Sequence, residues 1–67
     1  MISARNQFKG TVKEVKLGTV MAEVIVSAAG IEIVSLISRA SAEGMKLKAG
    51  DTVTAIIKST EVMVAKE

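Results

Sequence analysis

Two short polar segments near the two ends of the chain carry the side chains best suited to chemistry. Ser3-Ala4-Arg5-Asn6-Gln7 offers a guanidinium, a hydroxyl and two amides, and Lys58-Ser59-Thr60 offers an ammonium and two hydroxyls. The chain has no His and no Cys, so it lacks the usual ligands of a zinc site and the usual partners in nucleophilic catalysis. Guanidinium and ammonium groups instead suit an oxyanion, whose oxygens accept charge-assisted hydrogen bonds. The two segments therefore predict a site that holds an anion without transforming it.

A third candidate is the beginning of a short predicted helix, where Ser38 and Ser41 stand at the end that presents free N–H groups. Each of the three candidates also has a simpler interpretation. Residues 3–7 are compatible with a solvated, frayed terminus, residues 58–60 with a polar turn, and Ser38 with an ordinary helix cap. From the residue types alone, both interpretations stay open for each segment.

Length and composition predict one domain, spanning residues 1–67, that associates with copies of itself. A domain of this size hides only about 60% of its unfolded surface, so it usually needs disulfides, a metal or oligomerisation. Without Cys or His, self-association is the remaining source of stability, and an apolar fraction of 49% agrees with apolar surface buried between subunits. The net charge of +2 does not by itself imply nucleic acid.

Neither a membrane span nor a signal peptide is expected from the sequence. Polar residues interrupt every apolar run well before the roughly 20 residues that a bilayer requires. The first residues do not combine a charged region with an apolar core. These patterns predict a cytoplasmic protein.

Alternating apolar residues predict five strands. The first, Phe8 to Leu17, changes its apolar parity near Lys13-Glu14, which indicates a β-bulge. A hairpin through Ala28-Ala29-Gly30 joins the second and third strands. The later strands run from Thr19 to Ser27, from Ile31 to Ile37, from Asp51 to Lys58 and from Glu61 to Ala65.

Between the third and fourth strands, residues 38–44 predict a short helix, capped by Ser38 and stopped by Gly44. The order β-β-β-α-β-β is that of a small five-stranded OB-type barrel with one short helix between strands three and four. The predicted fold class is therefore all-β. A simple antiparallel meander is the alternative.

Nucleic-acid binding and catalysis are both weakly supported by the residue types. Single-strand binders stack bases on several aromatic side chains, and Phe8 is the one aromatic residue of the chain. The acidic residues are not paired with a nucleophile in a recognisable spacing. The sequence therefore predicts that the protein is not an enzyme.

The whole sequence resembles a molbindin, the small Mop-type domain that binds molybdate and tungstate. The most specific segment is residues 3–10, and residues 18–24, 35–38 and 56–63 follow in the family's order. The resemblance implies an OB-type barrel in a cytosolic homohexamer, built as a trimer of dimers with oxyanions between the subunits. Because the domain stands without a DNA-binding or nucleotide-binding partner domain, the resemblance also implies intracellular storage of the anion.

The resemblance implies a dimer-interface pocket for molybdate, in which the anion is held by hydrogen bonds and not by direct ligation of the metal. No separate cofactor is expected. Arg5 and Lys58 together balance the two negative charges of the anion. Two other hypotheses remain: a protein-protein interaction module without ligand, and an OB-type domain that binds single-stranded nucleic acid. The implied pocket residues are Ser3, Arg5, Ser38, Ser41, Lys58 and Ser59, with Asn6 as a further neutral donor.

Overall fold

The computed structural model describes residues 3–66 and contains one antiparallel sheet with one short helix. Its strands lie in the order β3-β2-β1-β4, so β3 and β4 are the two edges of the sheet. The all-β class and the position of the helix after the third strand agree with the sequence prediction. The elements are β1 (Asn6–Leu17), β2 (Met21–Ala28), β3 (Ile31–Ser38), α1 (Arg39–Gly44), β4 (Thr52–Ile57) and a 3-10 turn at Ser59–Glu61.

The long strand β1 belongs to both halves of the sheet. Its first half pairs with β4, its second half pairs with β2, and Thr11 takes part in both ladders. The register with β2 shifts between Val12 and Glu14, which confirms the predicted bulge. Because a bulge changes which face a residue points to, Val12 and Val15 can both pack on the core side of a coiled strand.

The core is small and consists mainly of valine. Four buried residues form its centre, and partly buried apolar side chains from the other elements pack against them. Many larger apolar side chains stay exposed, among them Leu36 at 67% and Val20 at 71%. This exposure agrees with the self-association that the composition predicts. The buried centre is Val12, Val24, Val26 and Ala28.

Two local predictions from the sequence are confirmed. Ala29 and Gly30 both have positive φ, 51° and 76°, as a two-residue hairpin turn between β2 and β3 requires. Ser38 caps α1, because its hydroxyl accepts a hydrogen bond from the Ser41 N–H. Gly44 is the last residue of the helix, although the left-handed backbone that follows belongs to Lys46, with φ of 52°.

The predicted fifth strand and the closed barrel are not formed within residues 3–66. Glu61 belongs to the 3-10 turn, and residues 62–66 have no regular secondary structure. A strand exists only where another strand edge accepts its backbone hydrogen bonds, and the turn leads this segment out of pairing with β4. The sheet is therefore an open four-stranded one in a single chain. Residues 3–66 also include no helix that could span a membrane.

The turn before β4 makes stability depend on pH. The Lys48 N–H donates to Asp51 Oδ2 over 3.0 Å, and the Lys48 ammonium lies 3.2 Å from Oδ1, so both hold the pKa of Asp51 below its ordinary value. A carboxyl whose pKa is lowered by folding stabilises the fold above its unfolded pKa and loses that contribution as the pH falls through the folded value.

We therefore expect Asp51→Asn to destabilise the protein at neutral pH and to make little difference in acid. Urea unfolding of both proteins from about pH 7 to about pH 3 gives the difference in their unfolding free energies. The contributions of the other carboxyl groups are the same in both proteins and cancel in that difference. A difference in unfolding free energy that stays constant over this range would exclude the assigned role of Asp51.

Candidate functional site

Arg5 and Lys58 come together at one end of the β1–β4 pair. Asn6 lies opposite Ile57 in the last step of that ladder, so the residue before Asn6 and the residue after Ile57 leave the sheet side by side. The two polar segments are more than 50 residues apart in sequence, and strand pairing alone makes them neighbours. Ser3, Arg5, Lys58 and Ser59 are exposed there, and Asn6 is half-buried.

The charges of Arg5 and Lys58 are not neutralised within residues 3–66. No carboxylate of this part of the chain lies within ion-pair distance of either side chain. Of the other cations, Lys13 pairs with Glu32, Lys16 lies near two glutamates, and Arg39 and Lys48 each have a carboxylate partner. Lys9, Lys46 and Lys66 also have no carboxylate partner in residues 3–66, so the juxtaposition of Arg5 and Lys58 is what distinguishes them. Two neighbouring cations without a counter-charge produce a positive potential that favours an anion.

Ser38 and Ser41 form a second group, at the start of α1. The Ser38 hydroxyl donates to Ser41 Oγ over 2.8 Å and accepts from the Ser41 N–H over 3.0 Å. Both side chains are exposed, so each hydroxyl keeps hydrogen-bonding capacity toward a ligand. Within residues 3–66 no side-chain hydrogen bond joins this group to Arg5, Asn6, Lys58 or Ser59. The structure therefore brings the predicted residues together as two groups and not as one.

Arg39 organises the second group and was not among the residues predicted from the sequence. Its guanidinium donates to the Gly18 carbonyl over 3.1 Å and lies 3.3 Å from the Glu43 carboxylate. Its backbone N–H donates to the Val20 carbonyl over 2.8 Å. These contacts hold the turn between β1 and β2 against the start of α1. The spacing of Arg39 and Glu43 was the available signal, since i,i+4 pairs of opposite charge are typical of a helix face.

An apolar cleft of about 500 Å³ lies between the free edges of β3 and β4. Lys58 stands on its β4 side, and Ile37, which precedes Ser38, lines its β3 side. Lys58 is thus the one residue of the two polar groups that lines the cleft in the described part of the chain. The interior of the cleft does not suit a dianion, because burying a charge among apolar side chains is costly. Its walls include Val24, Val26, Ile33, Leu47 and Val53.

Comparisons with known proteins agree with this architecture. The family model of the TOBE domain matches residues 2–64. Molybdenum-pterin-binding protein 3 of Clostridium pasteurianum is 52% identical over 64 residues, which are 94% of each chain.

Two solved structures are also similar. A molybdate-binding protein from Sporomusa ovata superposes with a TM-score of 0.93 and 44% identity over 98% of both chains. ModG, a cytoplasmic molybdate-binding protein solved with molybdate bound, superposes with a TM-score of 0.83 and 42% sequence identity. The match covers 87% of this chain and 42% of the ModG chain. The family match, the identity over nearly the whole chain and the shared fold lead to one conclusion: the chain belongs to the TOBE-domain family, and within it to the molbindin or Mop type that its sequence resembles.

Proposed function

We propose that this protein binds molybdate and tungstate at the interfaces between its own copies and stores these anions in the cytoplasm. The observation that carries the proposal is the pair Arg5 and Lys58, two neighbouring cations without a carboxylate partner in residues 3–66. Relatives described as molybdate-binding proteins support the choice of anion. The proposed role is binding and not catalysis, with no cofactor beyond the anion.

The charge and the donors match a tetrahedral dianion. Arg5 and Lys58 supply two positive charges, and Ser3, Asn6 and Ser59 stand beside them as neutral donors. Hydrogen bonds to charged groups contribute about 1.5–3 kcal/mol each, while micromolar affinity requires about 8 kcal/mol. Four such bonds reach that value when the donors are already held in place, which keeps the ordering cost low.

The anion is proposed to lie between subunits because each chain presents the donors in two separate groups. The Arg5 and Lys58 group of one copy would face the Ser38 and Ser41 group of another, so that an anion bridges them. Residues 1–67 act as a single Mop domain in this proposal, assembled into a homohexamer that is a trimer of dimers. An anion that binds the assembly and not the separate chains stabilises the assembly by mass action.

Native mass spectrometry with and without molybdate, combined with calorimetry, tests the proposal. We expect a homo-oligomer that gains a fixed number of molybdate or tungstate ions, with a Kd of about 1 μM or below. Sulfate is the control, since it has the same charge and shape but a smaller radius, and it is expected to bind more weakly. An oligomer that gains no molybdate and shows no heat of binding would favour the interaction-module hypothesis.

A further inference from the structure

Arg5 lies just outside the sheet, so the pairing of β1 with β4 does not itself fix its backbone. β1 begins at Asn6, and the ladder with β4 ends at the pair of Asn6 and Ile57. A residue beyond the end of a strand can adopt many backbone conformations unless another contact holds it. Ordering such a residue when an anion binds costs affinity. Tight binding through Arg5 therefore calls for a contact that fixes this backbone in advance.

Gln7 supplies that contact through two hydrogen bonds. Its side-chain Nε2 donates to the Ala4 carbonyl, and its backbone N–H donates to the Arg5 carbonyl over 3.1 Å. The Ala4 carbonyl belongs to the peptide group before the Arg5 Cα, and the Arg5 carbonyl belongs to the peptide group after it. Because each peptide group is planar, holding both of them restricts φ and ψ of Arg5 together. One residue thus fixes the direction in which the Arg5 side chain leaves the backbone.

Lys58, the other cation of the site, is held by backbone atoms. It directly follows β4, and its carbonyl accepts a hydrogen bond from the Glu61 N–H over 2.9 Å in the 3-10 turn. Of the two cations, Arg5 is therefore the one whose backbone is held by a replaceable side chain. A substitution at Gln7 can disturb Arg5 and leave Lys58 in place.

The position of Gln7 suits a role in positioning and not in the core. Its side chain is exposed, and it lies opposite Ile56 in the β1–β4 ladder. We propose that Gln7 is a positioning residue for anion binding: it orders the backbone of Arg5 before the anion arrives and so lowers the entropy lost on binding. Gln7 acts through Arg5 and does not touch the anion. This inference rests on the proposed function, because it concerns the same site.

Nitrogen-15 relaxation of the full chain without molybdate tests the positioning directly. The Arg5 N–H belongs to the same peptide group as the Ala4 carbonyl, so its order parameter reports on that hydrogen bond. Gln7→Met keeps a side chain of similar length and removes the amide donor. We expect an Arg5 order parameter of about 0.85 in the unmodified protein and a fall toward about 0.6 in the variant. Equal order parameters in the two proteins would overturn the proposal, whether or not molybdate binds.

Calorimetry with molybdate in two backgrounds separates positioning from direct binding. Gln7→Met alone is expected to raise the Kd at least about fivefold, which is the effect of freeing the backbone of about one residue. In a Lys58→Ala background the same substitution is expected to raise the Kd by the same factor. In an Arg5→Ala background no guanidinium remains to be positioned, so the expected change is less than about twofold. Equal losses in both backgrounds would mean that Gln7 contacts the anion or supports the fold in general, and would contradict the proposal.

The same experiment separates a failure of this inference from a failure of the proposed function. An unmodified protein that gives no heat with molybdate would remove the proposed function, and with it the anion role of Gln7. A protein that binds molybdate equally well with and without the Gln7 amide would remove the positioning role alone. Thermal unfolding without the anion is the control for the fold, and the Tm of Gln7→Met is expected to stay within about 4 °C of the unmodified protein.

Discussion

Replacing Arg5 or Lys58 by Ala is expected to weaken molybdate binding by about 30-fold or more while leaving the fold intact. Truncating one partner of a hydrogen-bonded charge pair costs about 2 kcal/mol or more, and 2 kcal/mol corresponds to about 30-fold in Kd. Both side chains are exposed and have no ion-pair partner in residues 3–66, so neither substitution removes an ion pair within this part of the chain. Calorimetry gives the affinity, and thermal unfolding without the anion checks the fold.

Lys9→Ala is the matched control for this prediction. Lys9 is also exposed and lies on β1, but it stands opposite Thr54 in the middle of the β1–β4 ladder. Its removal lowers the net charge by the same amount, so it isolates the effect of position from the effect of total charge. We expect its molybdate Kd to stay within about threefold of the unmodified protein, which is less than 1 kcal/mol. Equal affinities in all four proteins would exclude Arg5 and Lys58 as the anion site.

Structural features that depend only on residues close together in the chain could be predicted from the sequence. The bulge follows from a change of apolar parity in β1, the hairpin from Ala29-Gly30, and the helix cap from Ser38, and the structure confirms all three. Each of these depends on the conformations of only a few consecutive residues. The order of apolar, polar and glycine residues along the chain therefore indicates these local conformations.

The fifth strand was not predictable in the same way. Residues 61–65 have the composition of a strand, but a strand also needs an edge to pair with, and sequence periodicity does not identify the chain that supplies it.

The sequence indicates which residues form the candidate site, but it does not indicate how they are arranged in space. Lys58 and Arg5 are recognisable from their types, whereas their juxtaposition depends on the pairing of β1 with β4 across most of the chain. For Arg39 the sequence shows only the i,i+4 spacing to Glu43, whereas the contact that places it against the β1–β2 turn is to the carbonyl of Gly18, 21 residues away. Almost every residue offers a backbone carbonyl, so the sequence does not show which carbonyl accepts a given hydrogen bond.

Gly10→Ala is expected to destabilise the protein by about 3 kcal/mol or more. A Cβ at this position would lie 2.3 Å from the Ser27 carbonyl oxygen and 2.7 Å from the Ala28 Cβ, so β1 and β2 would have to separate. Overpacking of a core typically costs about 1–3 kcal/mol, and a backbone atom yields less than a flexible side chain. In a domain of this size such a loss lowers Tm by about 12–24 °C and removes much of the total stability.

Gly44→Ala is the control that separates this packing effect from the general effect of adding a methyl group to a glycine. Gly44 ends α1 and does not have positive φ, and a methyl group added there would meet no heavy atom within 4 Å beyond its immediate chain neighbours and its own helix. Alanine there is expected to stabilise the fold by about 0.5–1 kcal/mol, because it reduces the entropy of the unfolded chain and favours the helix. The two substitutions add the same atom, so opposite shifts of Tm in a thermal scan would assign the Gly10 effect to the close approach of β1 and β2. A Gly10→Ala protein that melts within about 2 °C of the unmodified one would show that the strands can separate there at little cost.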